Sequence, residues 1–223
     1  MTLRDRIERR WVPRAVVALS QVDWPARVQA RVRRAAGRRE RVEVFFAFDD
    51  PCSAVAVLDL ATRLGGRQAD LVLTPVVDRG PRDDPATAAK RRYAIVDARR
   101  LARRRLGLEL GRSAPLAGAD TAFLAEWVAG AATNPNRFIT PALRRLWLYD
   151  DAPVDRAAFA QLWREAMGVA PDPNPQGVRA AEARMRRRNG PYDTPAAVIG
   201  RRWWFAQDRP EQIVERLDEL GWA

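Results

Sequence analysis

Histidine is absent from this 223-residue chain, lysine occurs once, at Lys90, and cysteine once, at Cys52. Without histidine there is no His-based general acid or base, none of the common nucleophilic triads, and none of the usual zinc ligand sets. A single cysteine excludes both an internal disulfide and dithiol exchange. No apolar run is long enough to span a bilayer, so no transmembrane segment is expected. The start, Met1-Thr2-Leu3-Arg4-Asp5-Arg6, lacks the apolar length of a secretory leader, and the expected location is cytoplasmic.

What is present is a globular composition, 47% hydrophobic and 30% charged, with a formal net charge of +11 carried on arginine apart from Lys90. Arginine runs at Arg31-Val32-Arg33-Arg34, Arg103-Arg104-Arg105 and Arg186-Arg187-Arg188 have the charge to release counterions from a phosphate backbone. No aromatic-interleaved motif accompanies them, so they read as a solvated surface and no specific nucleic-acid partner is expected.

The chain is organised around one stretch. Val42 to Phe48 is a β-branched and aromatic run that reads as a buried strand. Asp49-Asp50-Pro51-Cys52-Ser53 follows as a turn, then an apolar run, Ala54 to Leu64, with helical spacing. Asp50 suits an N-cap and Pro51 the first helical position, where a missing N–H costs nothing. After Gly65-Gly66, Ala69 to Val77 reads as a second buried strand, which makes a right-handed βαβ unit.

Residues 1 to 40 read as two short amphipathic helices broken near Asp23-Trp24-Pro25. They form an extension suited to packing on the fold or, with Trp11 and Trp24 among arginines, to lying on a membrane surface. Beyond the polar loop Asp78 to Pro85 only helical periodicity appears. Ala94, Ala98, Leu101 and Ala102 share one face, and further helices are expected over Asp120–Ala132, Pro141–Tyr149 and Asp155–Met167. A Pro-rich linker, residues 170–175, precedes a helix from Gln176 to Asn189. The hairpin Ala196–Ile199 and Arg202–Phe205 comes next, then a final helix headed by a capping box with Asp208 as N-cap and Glu211 at N3.

A strand-turn-helix-strand unit, a helical insertion, a Pro-led hairpin and a closing helix form the order of a thioredoxin fold, and particular residues extend the likeness. Phe48-Asp49-Asp50-Pro51-Cys52-Ser53 sits where DsbA-like oxidoreductases carry Cys-Pro-x-Cys and their glutathione-binding relatives Ser-Pro-x-Ser. Thr194-Pro195 resembles the family's cis-proline. Trp203 to Arg209 resembles its aromatic strand followed by Gly-x-Asp-Arg, with Ala206 for the glycine, and Lys90-Arg91-Arg92-Tyr93 resembles its Lys-x-x-Tyr segment. Over roughly residues 41 to 221 the chain thus resembles the DsbA-like thioredoxin superfamily, in the branch of 2-hydroxychromene-2-carboxylate isomerases and kappa-class glutathione transferases. The fold expected is α/β and thioredoxin-like, with an N-terminal helical extension (1–40) and an inserted α-helical domain (78–176) between the two halves, 41–77 and 177–223.

The resemblance implies a glutathione-dependent isomerase or transferase acting on a small organic substrate, with homodimerisation left open and no metal. The residue before Pro51, Asp50, would face the glutathione sulfur, with Cys52 and Ser53 as further catalytic candidates. Lys90 would meet a carboxylate, Thr194 before Pro195 the cysteinyl unit, and Gln207 and Asp208 the γ-glutamyl end. Two departures matter. Asp50 stands in place of Ser or Cys, and as an N-cap it is expected to stay ionised and repel a thiolate. Cys52 is either a packing residue or, if helix amides and arginines lower its pKa, a nucleophile. The alternative is a degenerate, non-catalytic module that acts through a protein partner.

Overall fold

The structure is a computed structural model that describes residues 24–80, 85–187 and 190–223. Helix α1 (Trp24–Ala35) leads into strand β1 (Glu40–Phe46), helix α2 (Pro51–Arg63) and strand β2 (Ala69–Pro75). Five helices follow: α3 (Thr87–Leu106), α4 (Gly118–Gly130), α5 (Asn136–Trp147), α6 (Arg156–Met167) and α7 (Pro175–Met185). The hairpin β3 (Ala196–Ile199) and β4 (Arg202–Phe205) and helix α8 (Pro210–Leu220) close the chain.

The sheet order is β2-β1-β3-β4, with β1 and β2 parallel and the other two pairings antiparallel. β1 sits centrally because it buries apolar side chains on both faces: Val42, Val44 and Phe46 face the main core, and Phe45, on the face that also carries Arg41 and Glu43, joins Val76, Ala181 and Met185 under α7. This is the expected α/β thioredoxin-like fold with a helical insertion. One aromatic cluster fills the interior of the insertion: Phe123, Trp127, Phe138, Phe159 and Trp163 make edge-on pairs at centroid separations of 4.8–6.3 Å. The insertion is tied to the sheet by Trp147 of α5, whose Nε1 donates to the Phe48 carbonyl at 3.0 Å from a fully buried position.

Several elements differ from the sequence expectation. α5 starts at Asn136, so Pro141 lies inside the helix; Phe138 and Ile139, both fully buried, pull the preceding residues into it. Tertiary burial outweighs the Pro penalty there. α7 starts at Pro175, capped by Asn174, whose Oδ1 accepts from the Gly177 N–H at 2.8 Å, and it ends at Met185. The expected end at Asn189 lies outside the described residues. The N-cap of α8 is Arg209, with Pro210 at N1 and no side-chain cap, so the capping box expected at Asp208 does not form. Proline at N1 sets the helix start one residue later. Of the two helices expected before residue 40, the second is α1, packed on α8 and on the core through Ala26 and Ala30; the first falls outside the described residues.

Candidate functional site

The turn between β1 and α2 forms as its sequence dictates. Asp50 has extended backbone (φ −115°, ψ 114°), and its carboxylate accepts from the Cys52 and Ser53 N–H groups, both at 3.1 Å. Ser53 Oγ donates to Asp50 Oδ2 at 2.6 Å and accepts from the Ala47 N–H at 3.1 Å. The first-turn donors of α2 are therefore engaged by the protein's own carboxylate.

Across from this turn, α3 packs on α2 and lines the cleft with its N-terminal half, and the loop after β2 and the segment before β3 close the sides. Gly80 joins these last two: it has φ +67°, its N–H donates to the Tyr192 carbonyl at 3.1 Å, and the left-handed backbone suits glycine alone. Together they enclose a cleft of about 730 Å³ lined by Asp50, Cys52, Arg79, Lys90, Thr194 and Gln207, among others.

Of the residues the sequence singled out, Asp50, Cys52, Lys90, Thr194 and Gln207 reach this cleft. Ser53 lies beneath it, fully buried, with its hydroxyl spent on Asp50 and Ala47. Pro195 is buried behind Thr194, follows a cis peptide bond, and accepts from the Ala206 N–H at 2.8 Å. Asp208 is exposed beyond Gln207 and outside the lining.

The electrostatics differ from expectation at Asp50 and decide between the two readings at Cys52. Burial raises the pKa of Asp50 above its ordinary value, with the charge of Asp49 adding to it; the Arg79 guanidinium and the hydrogen bonds from Ser53 and Cys52 oppose this. Burial outweighs the helix amides, so Asp50 is more easily protonated than an N-cap on a surface helix. Burial also pushes the Cys52 thiol up, reinforced by Asp50, Asp97 and Asp208. Its Sγ donates to the Ala94 carbonyl at 3.6 Å, so Cys52 is held as a packed thiol. The surroundings are acidic where an arginine-rich setting would have been needed to activate it.

Arg79 is a cleft residue that sequence reasoning missed. Its Nη1 pairs with Asp49 Oδ1 at 2.6 Å, with the side chains only 15% and 4% exposed, and its charge also acts on Asp50. The signal was there: two consecutive acids between an apolar strand and an apolar helix require a cation, and the Asp78–Pro85 loop supplies one. Asp193 was missed likewise; it lines the cleft, and its Oδ1 accepts from the Thr194 N–H at 2.8 Å. Among the described residues no cluster of acidic or cysteine side chains is placed to hold a metal ion. Nor is any helix long and apolar enough to cross a membrane.

No protein-family profile matches the sequence, and no curated protein matches it. Among solved structures, that of a 2-hydroxychromene-2-carboxylate isomerase superposes with a TM-score of 0.56 at 18% sequence identity, over 81% of this chain and 95% of that one. This chain therefore shares the thioredoxin-like, helix-inserted fold of that isomerase.

Proposed function

We propose that the cleft binds glutathione and that the protein is a glutathione-dependent isomerase or transferase for a small organic substrate, without dithiol chemistry. The observation that carries this reading is convergence. Asp50, Lys90, Thr194 and Gln207, drawn from four separate parts of the chain, line one cleft of about 730 Å³, a volume in the range of small-molecule sites.

The cleft also has charge of both signs suited to a zwitterionic tripeptide. Lys90 lies in the first turn of α3, so its charge and the helix dipole both favour an anion. Asp193 and Asp97 give acidic lining for an ammonium group. Thr194 Oγ1 is buried and has no partner among the described residues, a hydroxyl left for a ligand.

In this reading Asp50 takes the thiol proton: the S–H bond breaks, the proton moves to a carboxylate oxygen, and a thiolate is left beside a neutral acid. The upward shift of Asp50 makes it the better acceptor and removes the like-charge repulsion that an ionised Asp would impose. The test is thermal unfolding with glutathione. At ten times its Kd, glutathione stabilises by about 1.4 kcal/mol, which raises Tm by about 3–6 °C for a chain of this size. Lys90→Ala diminishes that shift. No shift at saturating glutathione refutes the proposal.

One observation favours a second reading, a non-catalytic module that acts through a protein partner. The α2 amides of Cys52 and Ser53 are already bonded to Asp50, so fewer donors remain for a thiolate. A stable protein complex together with no glutathione-induced shift selects it.

A further inference from the structure

We propose that helix α1 is a docking element for an anionic lipid surface, with Trp24, Val28 and Val32 entering the headgroup region and Arg27 and Arg31 contacting lipid phosphates. α1 turns small residues inward: Ala30 is buried and Ala26 packs on the core. Its large apolar side chains point the other way. Trp24 is 67% exposed, Val28 47% and Val32 63%, and their spacing of four residues aligns them on one face. A folded chain that buries alanine and exposes tryptophan on the same helix has an outward face built for a non-aqueous contact.

The charges beside this stripe say what kind of contact. α1 contains no acidic residue and four arginines. Two of them fasten the helix to the fold: Arg33 pairs with Glu40 at 2.7 Å, while Arg34 donates to the Gly221 carbonyl at 2.8 Å and lies over the Trp222 ring at 5.6 Å. The other two, Arg27 and Arg31, are exposed and flank the apolar stripe. An exposed aromatic and aliphatic stripe edged by arginine is the pattern of an interfacial helix, with Trp at headgroup depth.

The competing partners fit less well. A second copy docking through the same face brings like charge to like charge, with no acid on the helix to offset it. A nucleic acid uses the arginines but leaves the valines in water. Three apolar side chains give only weak anchoring, so the attachment is reversible and depends on the charges.

The experiment is co-sedimentation of the full 223-residue chain with vesicles of phosphatidylcholine alone or mixed equally with phosphatidylglycerol. Binding to the mixed vesicles only is expected. R27Q/R31Q weakens it about thirtyfold, and W24S/V28S/V32S abolishes it with Tm unchanged, since all three side chains are outside the core. Equal recovery with both vesicle types, or undiminished binding by the triple serine variant, overturns the proposal. So does a dimer that the triple variant dissociates without vesicle binding, which assigns the face to a second copy. Retention on duplex DNA with no vesicle binding also overturns it.

Discussion

At the 50–53 turn the polar groups are spent on one another: the Asp50 carboxylate holds the Cys52 and Ser53 amides and the Ser53 hydroxyl, which in turn holds the Ala47 amide. Across the cleft, at 193–194, the Asp193 carboxylate holds the Thr194 amide, but Thr194 Oγ1 is buried with no partner among the described residues. Both segments flank the same cavity, yet the first is satisfied by the fold and the second is left incomplete. A buried hydroxyl without a partner costs stability unless something else completes it. The comparison separates a turn whose amide and hydroxyl donors are used by the fold from a hydroxyl donor that a ligand can complete.

The largest break in the satisfied side comes from its counter-charge. Arg79→Ala leaves Asp49 and Asp50 buried without the guanidinium, and a cost of about 3–5 kcal/mol in urea unfolding is expected. A loss below about 1 kcal/mol would show that water reaches these carboxylates and that the site is not sealed. Ser53→Ala removes a hydroxyl with two buried partners and should cost about 1–3 kcal/mol. The matching change across the cleft, Thr194→Val, removes a hydroxyl that bonds nothing described. It should leave stability unchanged or raise it by about 1 kcal/mol, since the unpaired buried hydroxyl is gone, while weakening glutathione binding. Equal costs for the two variants would erase the distinction.

A smaller effect tests Asp50 itself. Its folded-state pKa lies above the ordinary 3.8, so the stability it contributes is fully present below that value and is lost as pH rises through the raised one. Asp50→Asn lacks this loss. Its stability relative to the parent should therefore increase as pH is raised from about 3.8 toward neutral, in unfolding curves at constant salt. A flat difference would mean that Arg79 and the helix amides cancel the burial effect.

Much of the fold was legible because its signals are local. The β-branched run of β1, the Asp50-Pro51 start of α2 and the turn at Gly200 each declare a structure within a few residues. Where the sequence misled, distant contacts decided. Pro141 looked like a helix start because the burial of Phe138 and Ile139 depends on partners elsewhere in the insertion. At Asp208, by contrast, the competing signal was local: Pro210 at N1 makes Arg209 the N-cap and overrides the capping-box pattern.

The site shows the same division. The convergence of Asp50, Lys90, Thr194 and Gln207 followed from the order of motifs. The upward shift of Asp50 did not, because it comes from burial, with Asp49 adding to it and Arg79 opposing it; burial and the charges of Asp50, Asp97 and Asp208 likewise decide between the two readings of Cys52 in favour of the packed thiol. The paired acids Asp49-Asp50 called for a cation, but that Arg79 supplies it depends on the loop after β2 folding back onto Asp49.

The most direct measurement of the central claim is a crystal structure with glutathione bound. The account predicts the sulfur within hydrogen-bonding reach of the Asp50 carboxyl, the cysteinyl unit beside Thr194 and a glutathione carboxylate toward Lys90. Glutathione absent at saturating concentration, or bound with its sulfur away from Asp50, would contradict it.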